Sequence, residues 1–349
     1  KHVEKTGFAN QIRYVFIPAI DARGACWARH VAQSLYQDED YFLQIDSHTW
    51  FDQNWDTLCI ELMQSNITPN PRKLYSCYAR GFEFIDGKPT DTSGTKDLIY
   101  QKIRPGESFK DADPLLTFDS GVMQSEYPVA ACAIGAGFIF TLGKFCHEVP
   151  YDPVLYFNGE EQNIAVRAYT HGYDLFHPHK LVLWHEYTRK GRIKHWDDFS
   201  NENKEKLKLK ETWINMNDKG LPRIKQILEG DEKEDLGEYG FGIVRTRIDY
   251  EKYAGINFKL KLLHPDTEAG LIPPVLYDVN FSWEKCFKEK YNYKLVIPDY
   301  NYENIDFLYI GFTDKHGKEL YRKDLSVFTD KKIEINFDSF YKPFCQIWW

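Results

Sequence analysis

The chain has 349 residues, 43% hydrophobic and 16% aromatic, which suits an ordered globular protein and excludes a disordered one. Its formal net charge is -8 and no basic block stands out. Nucleic acid is therefore not an expected partner, although a local pocket for a phosphorylated small molecule stays open.

No apolar run approaches the ~18 residues of a membrane span, and no signal peptide is visible, so the expected setting is cytoplasmic. The seven cysteines (Cys26, Cys59, Cys77, Cys132, Cys146, Cys286, Cys345) are scattered, odd in number and without a CxxC pair. That spacing suits reduced core residues, not a disulfide framework or a structural zinc site.

In chain order, QIRYVFIPAI from Gln11 reads as a strand, and RGACWARHVAQSLYQ as a helix with Trp27, Val31 and Leu35 on one face. YFLQID is the next strand, WDTLCIELMQS a helix, and RKLYSCYA a further strand. This alternation predicts a mostly parallel sheet covered by helices. Between Glu83 and Tyr127 the pattern dissolves into a polar stretch, read as a functional loop or a hairpin insertion. PVAACAIGAGFIFTLGKF then gives two apolar strands broken by glycines, and EEQNIAVRAYTHGYD an amphipathic helix closing at Gly172.

LFHPHKLVLWHEY reads as extended. FSNENKEKLKLKETWINMND and PRIKQILEGDEKED read as charged helices of a solvated connector, and RTRIDY, NFKLKLL, YKLVIP, DFLYIGFTD and KKIEINF as strands. The expected organisation is an α/β domain over 1–200, a connector over 201–235 and a β-rich domain over 236–349. The aromatics of that last region are read as core before carbohydrate platform.

Asp46-Ser47-His48 stands where YFLQID runs out. In open α/β sheets, ligands bind at the carboxyl ends of strands, and an acid with an imidazole suits a divalent cation such as Mn²⁺. Equally, Asp46 is a turn former and Ser47 a cap for the next helix. Arg23, Gly24 and Arg29 surround a helix start, where anions are favoured, or are ordinary surface arginines. Gly135 and Gly137 let backbone approach a ligand, or mark a bulge. Glu160 and Glu161 open a helix, where the dipole favours acids in any case; one of them could hold sugar hydroxyls. Trp184-His185-Glu186-Tyr187-Thr188-Arg189 ends an apolar strand with a third possible metal ligand, His185, and a possible phosphate contact, Arg189.

RGACWAR, YFLQIDSH, IGAGFIF, NGEE with AVRAYTHGYDLF, WHEY and KHW occur in that order. Together they resemble the polypeptide N-acetylglucosaminyltransferases related to the cytoplasmic enzyme that glycosylates hydroxyproline on a ubiquitin-ligase adaptor, the S-phase kinase-associated protein. That family is similar to the mucin-type polypeptide GalNAc transferases, which share a DxH metal motif. The resemblance covers about residues 11 to 200 and continues weakly through GEYGFGIVRTRIDYEKYAGINF.

It implies a GT-A (Rossmann-like) α/β fold, a UDP-GlcNAc donor, a divalent cation, commonly Mn²⁺, and retaining transfer to a polypeptide or glycan hydroxyl. By position it implies Asp46, His48 and His185 as metal ligands, and Arg23, Gly24, Arg29, Asp46, Gly135, Gly137 and Arg189 at the nucleotide sugar. Glu160 and Glu161 fall near the donor sugar and acceptor. The opening strand and SYRD-like motif that usually precede RGACWAR in the family are not found here, which leaves the uridine contacts unassigned. The competing class is a sugar- or protein-binding module with a degraded transferase site.

Overall fold

The computed structural model describes residues 7–104, 107–109, 113–188, 191–273, 289–296, 308–313, 317, 319–325, 332–339 and 343–348. Contacts divide the chain into two units, Lys1–Lys261 with Asp266–Leu276, and Leu262–Pro265 with Tyr277–Trp349.

The first unit is mixed α/β. In chain order it contains α1 (Ala25–Gln33), β1 (Tyr41–Ile45), β2 (Thr49–Phe51), α2 (Trp55–Gln64), β3 (Lys73–Ser76), β4 (Arg80–Ile85) and β5 (Lys88–Asp91). Then come β6 (Leu98–Ile103), β7 (Phe118–Met123), β8 (Val129–Ala130), β9 (Phe138–Leu142), α3 (Phe145–Glu148), α4 (Glu160–Thr170), β10 (Asp174–His177) and β11 (Leu183–His185). Helices α5 (His195–Asp198), α6 (Asn201–Lys206), α7 (Trp213–Glu229) and α8 (Arg247–Ala254) follow.

The main sheet has the order β1-β9-β3-β10-β8. Only its β3/β10 neighbours run parallel; β9 is antiparallel to both β1 and β3, and β8 to β10. The expectation of a mostly parallel sheet is corrected here to a mixed one, because β9 lies between β1 and β3 and runs opposite to both. Its apolar face closes a core around Cys59, Leu62, Tyr75, Phe138, Phe140 and Leu183. A second sheet has the order β2-β11-β4-β5.

Several element readings change. QIRYVFIPAI forms no ladder among the described residues, and Tyr14, Val15 and Phe16 are exposed. The polar stretch after Glu83 contains two hairpins, β4–β5 and β6–β7, the first turning at Asp86-Gly87 with positive φ at both residues. RTRIDY is helix α8, not a strand. Thr246 Oγ1 accepts from the Asp249 N–H while Asp249 Oδ2 accepts from the Thr246 N–H, a capping box that commits the chain to a helix. Helix α7 is less solvated than its charge suggests, since Ile224, Ile227 and Leu228 are fully buried. Gly159 carries φ +75°, and a Cβ there would lie 2.7 Å from Ile224, so the start of α4 rests directly on α7.

The six described cysteines are unpaired. No described helix is long and apolar enough to cross a membrane. The second unit pairs strand Glu289–Val296 with Lys332–Ser339, and places Leu308–Thr313 between Glu319–Leu325 and Phe344–Trp348. Its core is Ile310, Phe312, Ile333 and Ile335, with the rings of Tyr293, Tyr321 and Phe337 packed against it. These three aromatics therefore sit at a core, while Tyr300, Tyr302, Phe307 and Trp349 lie outside the described residues.

Arg167 on α4 is fully buried. Its guanidinium donates to the carbonyls of Pro150 (2.7 Å), Glu238 (3.0 Å) and Gly240 (3.2 Å), and burial lowers its pKa to about 10. Removing it strands three carbonyl acceptors, that of Pro150 in a buried position. Arg167→Met should therefore lower the unfolding free energy by roughly 3 kcal/mol. Urea denaturation followed by tryptophan fluorescence tests this, and an unchanged midpoint would contradict it.

Candidate active site

The sheet topology explains why distant motifs meet. Because β9 runs antiparallel to β1 and β3, Ile45 pairs with Phe138 and Ser76 with Ile139. The residues just after β1 and β3 and just before β9 therefore share one sheet edge: Asp46, Cys77-Tyr78, and the Gly135-Ala136-Gly137 turn. The β2/β11 ladder sets His185 opposite Thr49, and Glu186 N–H donates to the His48 carbonyl at 3.0 Å. That register brings the two histidines side by side, ring centroids 4.2 Å apart.

These residues border a cleft of about 800 Å³ together with α1's first turn and the start of α4. Asp46 Oδ2 lies 3.1 Å from His185 Nε2 and 3.7 Å from His48 Nε2. One ligand atom from each of the three falls within 4.8 Å of the others, and all three residues are half-buried. Donors at metal-ligand distances of ~2.0–2.2 Å from one ion lie roughly 3–4.4 Å apart, so the spacing fits one divalent cation with coordination positions left over.

The other carboxylate oxygen of Asp46 has a different partner. Arg29 Nη2 donates to Oδ1 at 3.0 Å, and Arg29 Nη1 makes an ion pair with buried Glu160. Burial opposes ionisation of Asp46, but the His185 hydrogen bond and the Arg29 charge outweigh it and hold the pKa below its ordinary value. For Arg29, burial likewise opposes charge, and Glu160, Tyr151 and Asp46 more than compensate, keeping it protonated.

Glu161 is held otherwise. It accepts from the Ala136 N–H at 2.9 Å and from the Tyr78 hydroxyl at 3.1 Å. Burial pushes its pKa up to about 7, opposed by the Ala136 hydrogen bond and reinforced by the Glu160 charge.

The glycine positions are sterically required. Gly24 caps α1 at φ +100°, and a Cβ there would lie 2.4 Å from the Tyr156 ring. A Cβ on Gly135 would approach the Cys77 carbonyl to 2.7 Å, and one on Gly137 would approach Asp46 Oδ2 to 3.3 Å. Gly24, Arg29, Asp46, His48, Gly137, Glu160, Glu161 and His185 all border the cleft, whereas Arg23 does not and stacks over Trp27, 5.4 Å from its ring centroid. Gly135 does not border the cleft and is bonded to Ser76 Oγ. Arg189 lies outside the described residues.

Sequence reasoning assigned no role to Tyr78, Tyr156, Tyr187, Gln162 or His195, which also border the cleft. Tyr156 is bonded to His195 Nδ1 at 2.6 Å, and Tyr187 donates to the Ala79 carbonyl at 2.7 Å. The available signal was position: Tyr78 and Tyr187 each follow a strand end by two residues, and Tyr156 stands just ahead of Asn158-Gly159-Glu160-Glu161.

No curated protein matches the chain. Residues 1–260 match the family model described as Glycosyltransferase (GlcNAc). A match over that much of the chain, with the whole cleft inside it, makes this protein a member of the glycosyltransferase (GlcNAc) family and a glycosyltransferase.

Proposed function

We propose that the protein transfers N-acetylglucosamine from UDP-GlcNAc to a hydroxyl of a polypeptide, with retention of anomeric configuration, using a GT-A domain and a divalent cation such as Mn²⁺. The observation that carries this reading is the convergence of Asp46, His48 and His185 in a glycosyltransferase cleft that also holds the start of α4. Held by those three side chains, the cation would supply neutralisation of the charge on a departing diphosphate.

The chain's own groups account for the rest. The Gly135–Gly137 turn lets backbone close on the sugar, and the first turn of α1, opened by Gly24, faces the cleft where an anionic group would lie. The acceptor oxygen bonds to the anomeric carbon on the face from which the diphosphate leaves, and a diphosphate oxygen takes the acceptor proton. No side chain need become a nucleophile in that scheme.

A covalent glycosyl adduct would require an accessible, ionised carboxylate. Glu160 is buried and engaged by Arg29, and Glu161 is protonated over much of the range below neutrality. Both facts favour sugar and pocket contacts over a nucleophilic role.

The direct test is UDP release from UDP-GlcNAc with Mn²⁺ present or chelated. Wild-type release should depend on the metal, and His48→Ala should lower it at least about 10-fold through weakened metal binding. Equal release from the variant and the wild type would remove His48 from the metal site.

A second prediction concerns Glu161, whose folded pKa of about 7 exceeds the ordinary 4.5. Between those values the native state binds more protons than the unfolded chain, so stability falls as pH rises through that window. Glu251, also raised to about 7 by burial, adds a contribution of the same sign. Glu161→Gln should flatten the loss between pH 5 and pH 8 by roughly 2 kcal/mol, read from urea denaturation at each pH. Parallel curves for the two proteins would show that Glu161 ionises normally.

A further inference from the structure

The turn that closes on the proposed sugar pocket has one backbone bond of its own, from the Phe138 N–H to the Gly135 carbonyl at 3.0 Å, and is otherwise fixed by side chains. Gly135 exchanges two hydrogen bonds with Ser76 Oγ, which accepts from its N–H (2.8 Å) and donates to its carbonyl (3.0 Å). The Ala136 carbonyl accepts from Gln44 Nε2 at 2.7 Å, and Gln44 also donates to the Tyr151 hydroxyl at 2.8 Å. The Ala136 N–H donates across to α4, to Glu161 Oε1 at 2.9 Å. The other oxygen of the same carboxyl receives the Tyr78 hydroxyl from the strand end after β3.

One side chain therefore joins three separately encoded pieces of the cleft: the start of α4, the glycine turn and the residues after β3. The neighbouring glutamate does something different, since Glu160 turns to Arg29 and through it to Asp46. Adjacent residues on a helix are about 100° apart, so the two carboxyls leave α4 in different directions, and here the pair divides its work.

We propose that Glu161 is a positioning residue that locks the Gly135–Gly137 turn against α4 and holds Gly137 beside Asp46, and so sets the donor-sugar pocket. This rests on the reading of the cleft as a UDP-GlcNAc site. Losing the carboxyl releases the Ala136 N–H and the Tyr78 hydroxyl together. Gly137 then drifts from Asp46, and donor binding weakens in the ground state and the transition state alike. Such a change raises the donor KM and leaves kcat nearly untouched.

The experiment pairs kinetics with amide hydrogen exchange on the wild type and three variants, Glu161→Ala, Glu161→Gln and Tyr78→Phe. In Glu161→Ala the donor KM should rise about 10-fold, the size of one buried hydrogen bond, with kcat within about twofold. Exchange across residues 132–138 should accelerate. Glu161→Gln, which keeps an acceptor for Ala136, should recover most of both losses, and Tyr78→Phe should show a smaller KM increase of the same kind.

A fall in kcat of about 1000-fold at unchanged KM would make Glu161 a reacting group and overturn the proposal. Unchanged exchange at 132–138 in Glu161→Ala would overturn it as well. Wild-type protein that neither binds UDP-GlcNAc nor releases UDP would instead fail the donor reading itself, a result visible before any variant is made.

Discussion

Helix α4 carries Glu160, Gln162, Asn163, Arg167 and Thr170 in buried positions, an unusual load of polar side chains for an interior helix. Buried polar groups must be hydrogen-bonded or cost of order 1–3 kcal/mol each. Most of the partners come from segments far from α4 in sequence, and only some of those segments border the cleft. Glu160 takes Arg29, Gln162 accepts the Leu116 N–H and donates to the Pro114 carbonyl, and Arg167 gathers Pro150, Glu238 and Gly240. Thr170 Oγ1 accepts the Gly242 N–H, and its carbonyl accepts from Val244 and Arg245. Satisfying the helix therefore fixes segments far apart in sequence at once, and two of its partners, Arg29 and Leu116, border the cleft.

The same requirement explains the glycines around α4. Gly159 lets the helix start press onto Ile224, and a Cβ on Gly242 would lie 2.4 Å from the His171 backbone. A side chain at either point would push the helix away from the loops that satisfy it. Disturbance at the far end of α4 should therefore reach Glu160 and Glu161 through the helix as a rigid body, with no need for a contact near the cleft.

Much of the site was legible locally. An acid and an imidazole with one residue between them at the end of an apolar strand, with a histidine at the end of another, are short-range patterns, and the structure brings Asp46, His48 and His185 together. What local pattern could not supply was strand direction. Whether β9 runs with or against β1 depends on pairings some ninety residues apart, which periodicity does not record, so the sheet read as parallel. Other misses had a readable cause. Asp86-Gly87 between alternating apolar residues is a hairpin signal, and Thr246-Arg247-Ile248-Asp249 is a helix-start signal that outranks the strand-like look of RTRIDY. QIRYVFIPAI shows the opposite limit, since a sequence can favour extended backbone without supplying a partner to pair with.

Charge balance bears on the metal. Lysine and arginine bordering the cleft, among the described residues, are Arg29 and Lys194. Arg29 is already committed to Asp46 and Glu160, and Lys194 lies 5.5 Å from the Trp196 ring centroid. A nucleotide diphosphate would bring its negative charges into a cleft whose strongest cation is spent on two carboxylates. Lys194 alone is a weak counterweight, because it is only half-buried and solvent screens its charge. A divalent cation on Asp46, His48 and His185 would restore the balance for a diphosphate bound beside it, and it would do so with ligands whose own charge sums to only one negative unit when both imidazoles are neutral. An all-carboxylate set would cancel the ion's charge; one acid and two imidazoles leave it largely available to the leaving group, which is a physical reason for a DxH motif to suit this chemistry.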